Sequence, residues 1–110
     1  MPVSANMGDF ESALLELNLT VHQQKRIQAI QKESKLKMNS LKKQIKDKQY
    51  ELNSLLKLNS SSDVEINKLK SDIDLLDEEI NEVKSLSRKN IKNILSNEQK
   101  NMLIELQFAK

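Results

Sequence analysis

Residues 17–23 read LNLTVHQ and residues 93–99 read NILSNEQ, and the two stretches share one frame. Leu19 and Thr20 fall on Leu95 and Ser96, and Gln23 falls on Gln99. The frame continues with Ile27 on Leu103 and Ile30 on Leu106. A Thr or Ser followed three residues later by Gln is the pattern of a capping box. The hydroxyl accepts the backbone N–H at the third position, and the Gln side chain accepts the N–H of the cap itself. Each cap of this kind contributes about 1 kcal/mol. Thr20 and Ser96 therefore mark two helix starts, Ser62 with Glu65 marks a third, and Asp9 ahead of Phe10 marks a fourth.

These starts predict four helices, over about 10–17, 20–58, 63–94 and 96–109, with Asn59-Ser60-Ser61-Ser62 as the one evident loop. At Thr20 and Ser96 the cap abuts the preceding helix, so those joints are corners rather than linkers. Composition agrees. The only proline is Pro2 and the only glycine is Gly8, so nothing after them forces a helix to stop. Aromatic residues are 3% of the chain (Phe10, Tyr50 and Phe108) and charged residues 31%. That is the make-up of long amphipathic helices, not of a thick globular core. The fold class is all-α, with residues 9–110 as one helical domain. Residues 1–8 are read as a disordered tail or a remnant foreign to the native chain.

A helix over 20–58 is about 58 Å long at 1.5 Å per residue. A compact domain of this size has a radius of gyration of roughly 13 Å. The chain must then form an extended hairpin whose apolar stripe needs a partner. In the long helix Ile27 and Met38, Ile30 and Leu41, Leu41 and Leu52, and Ile45 and Leu56 repeat at eleven residues, the period of a straight stripe. The following helix opens with Ile66, Leu69, Ile73, Leu76, Ile80 and Val83 in 3-4 spacing, and the frame shifts after Val83. Charge divides the same way. Residues 20–58 hold ten Lys or Arg and three acids, a net of +7, while residues 63–82 hold eight acids and two Lys, a net of −6. Antiparallel folding sets these side by side.

Several classes of function are disfavoured. Cysteine is absent, which removes disulfides and thiolate metal sites. No run approaches the roughly 18 apolar residues of a membrane span. The opening MPVSANMGDF carries neither a basic flank nor an apolar stretch, so the chain is either cytosolic or a mature form whose leader has been removed. No nucleophile pairs with a base, and Asp77, Glu78 and Glu79 point to different sides of a helix as solvated surface. We expect no enzymatic activity and no cofactor.

With LNLTVHQ at 17–23 and ILSNEQ at 94–99, the sequence resembles the Spy/CpxP family, small periplasmic helical proteins with two LTxxQ motifs. The first motif matches at Leu19, Thr20 and Gln23; the second keeps Leu95 and Gln99 and has Ser96 in place of Thr. The resemblance extends from Phe10 onward. It implies a four-helix bent hairpin of two long and two short helices that pairs as an antiparallel, cradle-shaped homodimer. It also implies a periplasmic location after removal of a signal peptide, and an ATP-independent chaperone of unfolded or partly folded proteins. An inhibitory adaptor of an envelope-stress sensor kinase, docking on its periplasmic domain, or a metal-responsive relative is the alternative. A structural coiled-coil module is a third.

The residues suggest where such a protein would act. Thr20, Gln23, Ser96 and Gln99 read as caps. Lys25, Arg26, Lys32, Lys35, Lys37, Lys42, Lys43, Lys46 and Lys48 form a basic series on the long helix, either a solvated face or a surface that draws in acidic unfolded chains. Met38 lies among them as an adaptable apolar contact. The net charge of only +2 and the lack of aromatics between the lysines argue against nucleic acid. His22 is the single histidine and the one residue on which a metal site could be built; without Cys or a second His at i+4, no metal is expected. Met38, Met102, Ile27, Ile30, Leu103 and Leu106 read as core, and any of them left exposed on so thin a molecule would form apolar patches for clients.

Overall fold

The computed structural model describes residues 5–58 and 63–108, with side chains from residue 10 onward. Four helices follow one another: α1 (Ala5–Leu15), α2 (Val21–Leu58), α3 (Asp63–Ile94) and α4 (Asn97–Phe108). Among the described residues there is no strand. The element order and type are those the caps predict. The loop at 59–62 and the Ser62 cap lie outside the described residues.

One start differs. Asp9 sits inside α1, which begins at Ala5, so it does not cap that helix. Gly8 lowers helix propensity by about 1 kcal/mol relative to Ala but does not end a helix, and no proline follows Pro2. The other end of α1 tightens. Glu16 N–H donates to the Ala13 carbonyl and Leu17 N–H to the Leu14 carbonyl, each at 3.1 Å, the i→i−3 pattern that closes many helices.

The chain divides into two compact units. The first comprises residues 1–29 and 89–110, the second residues 30–88. In the first, α1 packs on α4. Its core is Phe10, Ala13, Leu14, Leu17, Ile27, Ile91, Leu95 and Leu103, all buried, with Phe10, Ile91 and Leu103 fully so. Of the expected core residues, Ile27 and Leu103 are buried, Ile30, Met38 and Leu106 half-buried, and Met102 exposed.

The second unit is a pair of helical segments. On α2 the inward positions are Ile30, Ser34, Met38, Leu41, Ile45, Lys48, Leu52 and Leu55, at spacings of three and four residues. Only Ser34 among these is buried and the rest are half-buried. On α3, Leu69, Leu76 and Ile80 are buried and Ile66, Ile73 and Val83 half-buried. Lys48 Nζ lies 3.5 Å from Asp72 Oδ2. Lys48 is ten residues before the end of α2 and Asp72 nine after the start of α3. Residues equidistant from the connection meet only when the segments run antiparallel, so this ion pair fixes the register that the opposed charges predict. Asp72 also receives Lys68 of its own helix at 3.6 Å.

Candidate functional site

Two groups of residues stand out, and the first is the repeated motif. Thr20 N–H donates to Gln23 Oε1 at 3.0 Å, and Gln23 N–H donates to Thr20 Oγ1 at 3.0 Å. At the other copy, Ser96 N–H donates to Gln99 Oε1 at 2.9 Å, and Gln99 N–H to Ser96 Oγ at 3.2 Å. Both capping boxes are thus closed. The cap carbonyls accept the first bond of each helix, from Gln24 N–H to Thr20 and from Lys100 N–H to Ser96, both at 2.9 Å.

The two glutamines then meet. Gln23 Nε2 donates to Gln99 Oε1 at 2.9 Å, and Gln99 Nε2 donates to Gln23 Oε1 at 3.1 Å, a head-to-head amide pair across 76 residues of chain. The second proton of each amide goes to a backbone carbonyl beside the other motif. Gln23 Nε2 reaches Ile94 O at 3.1 Å and Gln99 Nε2 reaches Asn18 O at 2.8 Å. Asn18 and Ile94 each stand two residues before the opposite cap, so the pattern is unchanged when the two motifs are exchanged. Each amide makes all four hydrogen bonds available to it, two donated and two accepted. Ile94 is the last residue of α3, so Gln23 both caps the start of α2 and satisfies a carbonyl orphaned at the end of another helix.

This clasp explains the choice of residue. A capping box works with Glu or Gln. A carboxylate has no donor, however, and at either position it would confront a carbonyl and an amide oxygen with unshielded charge. Leu95 is buried and Leu19 half-buried beside the clasp, which accounts for the apolar first letter of each motif.

The second group is the basic series. Lys25 and Arg26 are exposed in the first unit; Lys32, Lys35, Lys37, Lys42, Lys43 and Lys46 are exposed in the second. Lys48 is half-buried on the inward side, against Asp72. Lys37 is 3.7 Å from Glu33 one turn earlier, with both side chains well exposed. Lys25, Arg26, Lys32, Lys35, Lys42, Lys43 and Lys46 take part in no ion pair among the described residues.

Helical spacing resolves the series into faces. Lys32, Lys35, Lys43 and Lys46 recur at three, eight and three residues and share the side of α2 opposite its inward stripe. Met38 belongs to the inward stripe, apart from these lysines. The apolar residues on the basic face are instead Leu36 and Tyr50, 62% and 76% exposed. They are four residues after Lys32 and four after Lys46. Sequence reading missed both, although each breaks the 3-4 spacing of the inward positions, and that break is the available signal.

His22 is exposed in the first turn of α2, and among the described residues no three His, Cys, Asp or Glu side chains are grouped to hold a metal. No helix among them is long and apolar enough to cross a membrane.

A family model described as LTXXQ motif family protein matches residues 6–107. No curated protein and no solved structure matches the chain. The matched span takes in all of the described residues but Ala5 and Phe108 and contains both halves of the glutamine clasp. The chain belongs to the LTXXQ motif family, the family of Spy/CpxP-type proteins.

Proposed function

We propose that this protein is an ATP-independent periplasmic chaperone. It acts as a helical homodimer whose concave, cradle-like face holds unfolded or partly folded proteins and keeps them from aggregating. The observation that carries the reading is the outward face of α2. Lys32, Lys35, Lys43 and Lys46 stand there without acidic partners among the described residues, and Leu36 and Tyr50 are exposed among them. Positive charge gathers acidic stretches of an unfolded chain and speeds encounter. Two isolated apolar side chains then give short-lived contacts that a folding client can leave. Lys25 and Arg26 begin the same series at the start of the helix.

The test is aggregation of a chemically unfolded protein followed by light scattering, without nucleotide. Equimolar protein should suppress it. Replacing Lys32, Lys35, Lys43 and Lys46 together by Glu should abolish the effect while leaving helicity intact, and added salt should weaken capture by the native chain. No suppression at severalfold excess removes the reading.

A further inference from the structure

The outward side of α2 is ordered as well as charged. Lys32, Leu36, Asn39, Lys43, Lys46 and Tyr50 follow one another at intervals of four, three, four, three and four residues. That spacing keeps side chains on one face of a helix. All six are exposed, Leu36 and Tyr50 by 62% and 76%. The stripe is about 27 Å long at 1.5 Å per residue, or about five turns. α2 therefore carries two stripes in 3-4 spacing on opposite sides. The inward one lies in the seam with α3, and the outward one is left exposed.

Charge and spacing together define what fits there. Lys32, Lys43 and Lys46 take part in no ion pair among the described residues. The three acids of α2, Glu33, Asp47 and Glu51, all fall off the stripe. A partner must then supply the negative charge. Its backbone conformation follows from that of α2. Within a helix each peptide group is spent on its own i→i−4 bond, so an extended partner finds no backbone group to pair with. A helical partner brings its own peptide groups already paired. Two helices side by side also share one rise per residue, so side chains at matching intervals stay in step along the whole stripe. An extended chain advances about 3.3 Å per residue and loses step at once.

We infer that the outward stripe of α2 takes its client in helical form, as an acidic amphipathic helix of about five turns. The client's apolar residues cover Leu36 and Tyr50, and its carboxylates meet Lys32, Lys43 and Lys46. Helix recognition of this kind works through anchors at three- and four-residue spacing, and the stripe supplies them. The inference rests on the client-capture reading of this face and names the client's chemistry. Segments that have already regained acidic helix are preferred over extended ones of the same composition.

The test uses two fluorescein-labelled peptides of about 18 residues, long enough for five turns. Both have the same Glu, Leu, Ala and Gln composition. One sets its leucines at 3-4 spacing with glutamates beside them, and the other alternates leucine with polar residues in strand order. By fluorescence anisotropy with the full chain, the helix-ordered peptide should bind about tenfold tighter or more. Circular dichroism should show it gaining helicity on binding. Leu36→Ser combined with Tyr50→Ser keeps the lysines, alters only exposed positions and should erase most of the preference. Circular dichroism of the variant alone checks that it remains helical. Equal binding of the two peptides, no binding of either, or a bound peptide that gains no helicity overturns the inference. So does a preference that survives the double serine variant. The peptides are read without any aggregating protein. An intact preference without suppression of aggregation therefore counts against the functional reading alone, and suppression without a preference counts against the inference alone.

Discussion

The two units of this molecule share the helices α2 and α3 but are held together differently. The first gathers eight buried apolar residues and closes them with a network of side-chain amides, hydroxyls and backbone groups. The second, a helical pair drawn from 59 residues, buries only Leu69, Leu76 and Ile80 among its described apolar residues, with Ser34 beside them. Two helices have one shared seam, so most of each helix faces outward whatever its sequence. Four helix segments can surround a side chain such as Phe10, and two cannot. The first unit is therefore the part that stabilises itself, and the second the part with surface left to offer.

The contrast can be broken by truncating cores. Phe10→Ala, at a fully buried site, should cost about 3–5 kcal/mol of unfolding free energy. Leu76→Ala, with partial access to water, should fall near the lower end of the Leu→Ala range, about 2 kcal/mol. Urea denaturation followed by circular dichroism measures both. Equal losses, or a larger loss at Leu76, would mean that the second unit holds the greater share of stability.

A smaller effect tests the clasp. Gln23→Glu preserves the acceptor for Thr20 N–H but removes the donors to Ile94 O and Gln99 Oε1, and should cost about 2–3 kcal/mol at neutral pH. The new carboxylate faces two oxygen acceptors, so folding should raise its pKa above the usual value of about 4.3. Protonation then favours the folded state. The penalty should shrink as pH falls towards that value and be complete well above it, the reverse of an ordinary stabilising carboxylate. Comparing denaturation of the native and variant chains at pH 7 and at pH 4 reads the difference. A cost independent of pH would mean that the amide protons do not matter.

The smallest effect belongs to the hairpin register. Lys48→Met removes the pair with Asp72 while keeping the apolar stem that lies along the seam. Because both groups are about a third exposed, the loss should be at most about 1 kcal/mol and should fade with added salt. A loss above about 2 kcal/mol would give this contact a weight that partly exposed ion pairs do not carry.

Much of this architecture was legible beforehand, and the reason is locality. A capping box joins residues three apart, so Thr20 with Gln23 and Ser96 with Gln99 announce helix starts without reference to the rest of the chain. The long helices follow from propensity, 3-4 spacing and the lack of breakers, and their antiparallel order follows from the segregation of +7 and −6. Where locality failed, the errors are specific. Asp9 has the chemistry of a cap, but the helix had already begun four residues earlier. Leu36 and Tyr50 stand exposed on the outward side of α2, at places where the 3-4 spacing of the inward stripe puts no apolar residue.

The sequence by itself determined the helices, their order, the sign of charge on each and the positions of both corners, since each depends on residues within a turn or two of one another. Only the tertiary structure decided what the glutamines are for. Their amide pair joins residues 76 apart, and no periodicity or composition foretells that two caps will donate their spare protons to each other's neighbours. The same limit applies to exposure. Whether an apolar side chain on a helix is covered depends on how many neighbours surround that helix, and only the packed chain settles this.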